Sequence, residues 1–184
     1  TYHVLGNHDV DSISKSQFLS VITNTGIPLQ DTFYAYCLGD LQFIVLDANY
    51  REDGVEYDHG NFDWVDTNVP ASQLDWLRQK LHASPFPSVI FVHQLLDGEG
   101  NHYINNAAEV RQILEDSEKV LAVFQGHQHN GQYNIINGIH YYTLPAVVEG
   151  SGRENSAYAI VEIHHDNSIA VIGYHKAPSK LFYR

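Results

Sequence analysis

Residues 120–129 read Val-Leu-Ala-Val-Phe-Gln-Gly-His-Gln-His. The unbroken apolar run predicts a strand buried on both faces, as in the middle of a parallel sheet. It stops at a polar, glycine-containing cluster with two imidazoles. The same pattern occurs twice more. Residues 88–92, Ser-Val-Ile-Phe-Val, end at His93-Gln94, and residues 2–5, Tyr-His-Val-Leu, end at Gly6-Asn7-His8-Asp9. Open α/β sheets place their ligand sites beyond the carboxyl ends of strands. Three strands that end in this way point their polar side chains into one cleft. Taken singly, Gly-Asn-His-Asp reads as well as an ordinary turn, and His93 as a core histidine. Their fixed order, each at a strand end, is what argues for a site.

Working outward, a helix is predicted from the N-cap type residue Ser14 to Thr25, stopped by Gly26, with Phe18, Val21 and Ile22 facing inward. Residues 32–38 and 41–47 flank Gly39-Asp40 as a hairpin. Residues 49–68 form a long polar connection with six acidic side chains, and loops of that length in a compact domain are often functional. Pro70 opens a helix to His82 with Leu74, Leu77 and Leu81 on one face. Another helix spans residues 106–117 with Ala107, Val110, Ile113 and Leu114 inward. Asn137-Gly138 joins strands 132–136 and 139–144, and Asp166-Asn167 joins strands 158–164 and 169–174. Strands alternate with helices first, and antiparallel strands follow. The predicted class is α/β, a layered sandwich of mixed β-sheets flanked by helices, built as a single domain over residues 1–184.

Hydrophobic residues make up 43% of the 184 and charged residues 17%, the balance of a soluble globular chain. No apolar run approaches the ~20 residues of a membrane helix. A net charge of -12 without a basic run excludes a nucleic-acid backbone binder. An acidic protein that acts on anions takes its positive charge from bound metal ions. The single cysteine, Cys37, lies in an apolar stretch and reads as a small buried hydrophobe. Imidazoles with an amide oxygen suit a divalent ion such as Mn, Fe, Zn or Co. An extended backbone at Gly-His-Gln-His places His127 and His129 on one side, whereas a loop splays them toward two adjacent ions.

These blocks resemble the calcineurin-like metallophosphoesterases, whose ordered motifs are Asp-x-His, Gly-Asp-x-x-Asp, Gly-Asn-His-Asp/Glu, a lone strand-end His, and Gly-His-x-His. The last three stand here as residues 6–9, His93 and residues 126–129, and Asp75-Trp76-Leu77 and Asn105-Asn106 also look like the family's sequence. The resemblance implies that Asn7, His93 and His127 bind one metal and His129 the other. It implies that His8 lies by the phosphate as general acid or hydrogen-bond donor. The first two motifs belong upstream of Gly6, so the expectation is an N-terminally incomplete domain with its first strands missing. A chain that opens inside a strand, without leader or initiator Met, reads as a fragment or processed product, which leaves its compartment open. The missing blocks would supply the bridging carboxylate that two ions ~3.5–4 Å apart require. Two divalent ions are therefore expected in the complete protein, and one or none in this chain alone.

The implied activity is hydrolysis of a small-molecule phosphate ester by a metal-activated water. The residue 2–8 and 126–133 segments look closest to phosphodiesterases and nucleoside-diphosphate-type hydrolases. Phosphomonoesterase activity, a scaffold with an incomplete metal site, and a different metalloenzyme with His/carboxylate ligands are the alternatives. The loop 96–105 is a candidate pocket wall, with His102, Tyr103 and Asn105 as substrate contacts. Glu149 reads as a solvated loop residue and Arg111 as a surface charge.

Overall fold

The fold is described by a computed structural model covering residues 1–183. Helix α1 spans Lys15–Val21, and the hairpin strands β1 and β2 span Tyr34–Leu38 and Leu41–Val45. Helix α2 (Ala71–Ala83) leads into β3 (Ser88–Phe91), and α3 (Ala107–Asp116) into β4 (Val120–Gln125). Then come β5 (Gln132–Ile136), β6 (Ile139–Thr143), β7 (Ala157–Ile163), β8 (Ile169–His175) and β9 (Lys180–Phe182). The sequence pattern missed the three-residue β9.

Among the described residues the strands form a six-stranded sheet of order β1-β2-β3-β4-β6-β5 and a three-stranded sheet of order β7-β8-β9. The central pairs β2·β3, β3·β4 and β4·β6 are parallel; β1·β2 and β5·β6 are antiparallel. Successive strand side chains point to opposite faces. Ile90, Val123 and Tyr141 accordingly pack with Leu74, Leu77, Val110 and Leu114 of the two helices. Their neighbours Val89, Ala122 and Tyr142 pack with Ile169, Val171 and Phe182 of the smaller sheet. This three-layer arrangement is the predicted α/β sandwich. Each leucine fully buried beneath the helices contributes roughly 1.5–3 kcal/mol.

Four expectations are corrected. Residues 2–5 do not form a strand, because no neighbouring strand offers them a ladder. Their backbone is held by side chains: His3 N–H donates to Asn24 Oδ1 at 2.8 Å, and Tyr34 O–H donates to His3 O at 2.7 Å. The first helix starts after Ser14 with a Ser14/Gln17 capping box but ends at Val21, not Thr25; Ile22 is already extended. The β-branched run Val21-Ile22-Thr23 resists helix, and Asn24 is committed to His3. Val21 is 79% exposed and Leu19 is the buried residue instead. Pro70 occupies the N-cap of α2 and not its first turn. Cys37 is exposed, since it lies near the end of the sheet's edge strand β1, where the burial pattern runs out toward solvent.

Candidate functional site

Parallel strands bring their carboxyl ends to one edge of the sheet. Here that edge carries Asp47 and Asn49 beyond β2, His93 beyond β3, and residues 126–129 beyond β4. The Gly6–Asp9 segment lies across it. Asp9 caps its own turn by accepting from Gly6 N–H at 2.8 Å, and Asn7 and Val10 are buried beneath. Gly6 allows a close approach: a Cβ there would lie 3.1 Å from the His93 ring.

The central contact is a convergence of three donor atoms. Asn7 Oδ1 lies 3.0 Å from His93 Nε2, and His127 Nδ1 lies 3.2 Å from the same nitrogen. Burial, reinforced by the neighbouring His127, His8 and His129, pushes His93 down to about 3. Burial, then His102, His8 and His129, pushes His127 down to about 4. Both rings are therefore neutral at pH 7. One Nε2–H on His93 then has to serve both contacts, which leaves His127 in the Nε2–H tautomer. That Nε2 is buried without a hydrogen-bond partner among the described residues. Donor atoms that share an ion at about 2.1 Å stand roughly 3.0–3.4 Å apart, so the observed spacings are compatible with one divalent cation as well as with the hydrogen bonds that hold the metal-free site.

His127 has φ +63°, a left-handed conformation that is costly for a side chain with a Cβ. The twist resolves the alternative left by the sequence: the backbone is a loop, and the two histidines diverge. His129 leaves toward Glu149, whose Oε1 lies 2.5 Å from its Nδ1. Glu149 is thus the partner of His129 and not merely a solvated loop residue. Arg111 is likewise more than a surface charge, since its guanidinium donates to Leu96 O. His8 is far more open, with its side chain 79% exposed and its Nδ1 2.6 Å from Asp11 Oδ2. It lines a cavity of about 560 Å³ together with His93, His127 and His129. The far walls of that cavity are apolar, among them Phe91, Phe124, Tyr142 and Val161.

The loop after β3 divides its three candidate substrate residues. His102 comes to the site, its ring centroid 5.4 Å from that of His127. Tyr103 turns away: its O–H lies 3.1 Å from Gln132 Nε2, and its ring packs where a Cβ on Gly98 would stand. Asn105 is held outside as well, its N–H donating to Thr67 O at 2.8 Å and its Nδ2 lying 3.4 Å from Asp66 Oδ1. Both are occupied in bracing loops, so of the three candidates only His102 lies beside His127. Trp64, which the motifs did not flag, lies 5.6 Å from His127 and 5.3 Å from His102 by ring centroids. Its signal was the long 49–68 connection. Asp47 and Asn49 were also missed, although they end an apolar strand just as the flagged clusters do.

Among the described residues no group of three or more His, Cys, Asp or Glu is arranged to hold a metal ion; the donor set needs the Asn7 amide oxygen. It fits one ion. His129 with Glu149 alone does not make a second site. No described helix is long and apolar enough to cross a membrane.

A helix-backed sheet with ligand-type side chains gathered at its parallel strand ends defines an α/β protein with its site at the carboxyl edge. A family model described as calcineurin-like phosphoesterase matches residues 1–131, and the chain belongs to that family. The crystal structure of a dimetal phosphatase from Danio rerio is similar, with a TM-score of 0.81 at 21% identity over 98% of this chain and 71% of that one. A purple acid phosphatase from yellow lupin (Lupinus luteus) seeds gives a TM-score of 0.52 at 13% identity over 92% of this chain and 35% of that one. These likenesses establish the fold. In sequence, the chain is 28% identical over 87 residues to the "Probable cyclic nucleotide phosphodiesterase" of Psychrobacter arcticus, a match covering 45% of this chain. The chain spans 31% of that relative's length.

Proposed function

We propose that the protein hydrolyses small phosphate esters with the help of a divalent cation held by Asn7 Oδ1, His93 Nε2 and His127 Nδ1. The observation that carries this reading is the convergence of those atoms, with His93 Nε2 3.0 Å from Asn7 Oδ1 and 3.2 Å from His127 Nδ1, in a chain of the calcineurin-like phosphoesterase family. When bound, such an ion neutralises phosphate oxygens and makes a coordinated water acidic enough to deprotonate near neutral pH. The chain's own residues do the rest. Burial keeps His93 and His127 unprotonated and ready to bind a cation. His8, exposed at the cavity rim and backed by Asp11, donates a proton or hydrogen bond to the departing oxygen. Glu149 holds the His129 imidazole, and Trp64 and His102 pack against the His127 ring.

Mn, Fe, Zn and Co all suit this donor set. The substrates we propose are phosphodiesters or nucleoside-diphosphate-type esters, supported by the sequence likeness to a phosphodiesterase. In a longer protein carrying Asp-x-His and Gly-Asp-x-x-Asp blocks, His129 would serve a second ion. A metal-holding scaffold without turnover is the second reading, favoured by the lack of a described carboxylate beside both His129 and the first donor set. Elemental analysis with hydrolysis of bis-p-nitrophenyl phosphate, on this chain and on a form joined to those blocks, separates the two. Metal with turnover, lost in His127→Ala, supports the enzyme. Metal without turnover in either form supports the scaffold, and wild-type rates in His127→Ala would discard the site.

A further inference from the structure

Two of the three donors, Asn7 and His93, belong to segments that no strand ladder joins, residues 5–7 and residues 93–94. A single side chain bridges them. Asn49, 0% exposed, donates through Nδ2 to Leu5 O at 2.9 Å and accepts at Oδ1 from Gln94 Nε2 at 2.8 Å. Leu5 stands two residues before Asn7, and Gln94 one residue after His93. Asn49 is itself fixed by Asp47, whose Oδ1 lies 2.9 Å from both its backbone N and its Nδ2. The other oxygen of Asp47 pairs with Lys15 Nζ at 2.7 Å, with 0% and 4% exposure for the two side chains. The Lys15 ammonium also lies 3.7 Å above the Tyr50 ring.

We propose that Asn49 is the positioning residue of this site: it sets the separation of Asn7 and His93, and the buried Lys15–Asp47 pair orients it. This rests on the metal-dependent reading above. Three features make the bridge specific. The Asn49 amide uses donor and acceptor together, so neither Asp nor Leu can replace it. Gln94 Oε1 is buried without a partner among the described residues, so the Asn49 contact is the side-chain bond that orients Gln94. The 5–7 segment lies directly on the His93 ring, where a Cβ on Gly6 would come within 3.1 Å. A shift of Leu5 therefore moves Asn7 relative to His93 with little slack. The ion pair has a second consequence: Asp47, neutralised by Lys15 at 2.7 Å, is a support and not a ligand.

Asn49→Leu, which keeps the branch at Cγ but carries no polar atom, removes the bridge. Gln73→Leu is the control. Gln73 bonds the backbone of Asp47 on both sides, at 2.9 and 2.7 Å, while the bonds to Leu5 O and Gln94 Nε2 are made by Asn49. Co²⁺ titration of the 184-residue chain, read by absorption, is expected to show a roughly 10–100-fold loss of affinity in Asn49→Leu. Gln73→Leu should lose thermal stability yet bind Co²⁺ close to the wild-type strength. Equal affinity in Asn49→Leu and wild type, or an equal loss in both variants, overturns the proposal. A second readout needs no metal: the Asn7–His93 hydrogen bond, followed through the His93 ring nitrogen shifts by NMR, should vanish in Asn49→Leu and persist in Gln73→Leu. If the wild type binds no Co²⁺, the metal-dependent reading fails. The NMR comparison then still decides whether Asn49 sets this geometry, and persistence of the bond in Asn49→Leu overturns that too.

Discussion

His93 and His127 concentrate the protein's chemistry in two side chains that burial keeps neutral. Their folded-state values of about 3 and about 4 lie below the ~6.5 of an unfolded histidine. The unfolded chain therefore binds protons first as the medium is acidified. For the metal-free chain, stability is full above pH ~6.5 and falls as pH drops toward 4, at up to about 1.4 kcal/mol per pH unit from His93 alone. Urea unfolding across that window checks it, and His93→Asn should flatten the slope; an equally steep slope in that variant would assign the protons elsewhere. His8 lives in the opposite environment, open to solvent and paired with Asp11. His8→Ala should cut turnover by roughly 10²–10⁴-fold and leave Co²⁺ affinity intact, whereas loss of metal would make His8 a ligand. The imidazoles were legible in the sequence because each follows an apolar run. The Asn49 bridge was not, because a buried asparagine is recognised by its partners, and Leu5 and Gln94 lie 44 and 45 residues away. Tyr103 and Asn105 show the converse: proximity in sequence to His93 said nothing of which way a loop turns them.

Among the elements, the parallel strands were the most legible, because burial on both faces leaves no polar interruption in β3 and β4. Helices α2 and α3 were readable from leucine and valine spacing. Residues 2–5 were misread because periodicity reports burial and not hydrogen bonding. Strand β9 was too short to carry a pattern. It is held against β8, where β8 and the turn before β9 come together at Gly173. A Cβ on Gly173 would stand 2.1 Å from Ala177 O, a backbone atom that cannot swing aside. Gly173→Ala should cost roughly 3 kcal/mol or more by overpacking. Gly138 is the useful contrast: at φ +82° with nothing within 4 Å of its would-be Cβ, its replacement by Ala should cost only about 1–2 kcal/mol of backbone strain. Denaturant midpoints of the two variants test the ranking. A Gly173→Ala protein as stable as Gly138→Ala would mean that the β8–β9 turn yields.

At the scale of the whole molecule, the two faces of the six-stranded sheet are covered unequally. Helices α2 and α3 seal one side, while the β7–β9 sheet covers the other only in part and leaves the 560 Å³ cavity open beside the histidines. Its lining residue Val161, on the inward face of β7, is still 39% exposed. The outward face of the same sheet is apolar too. Tyr158 stacks on Tyr174 at 4.7 Å, beside the cross-strand pair Ile160 and Ile172, all four exposed. Exposed apolar surface of this kind binds hydrophobic probes, and the two faces make different predictions. Anilinonaphthalenesulfonate should bind the native chain and brighten. If the dye enters the cavity, Val161→Gln lowers its emission and Ile160→Gln does not, because side chains 160 and 161 point to opposite faces of the strand. The cavity is the expected site, since it encloses the dye on several sides whereas the outer patch offers one flat wall. Both positions are exposed, so neither substitution should move the melting temperature by more than surface changes do, about 0.5 kcal/mol in stability. Emission lost only in Ile160→Gln would place the probe on the outer patch and leave the cavity to water.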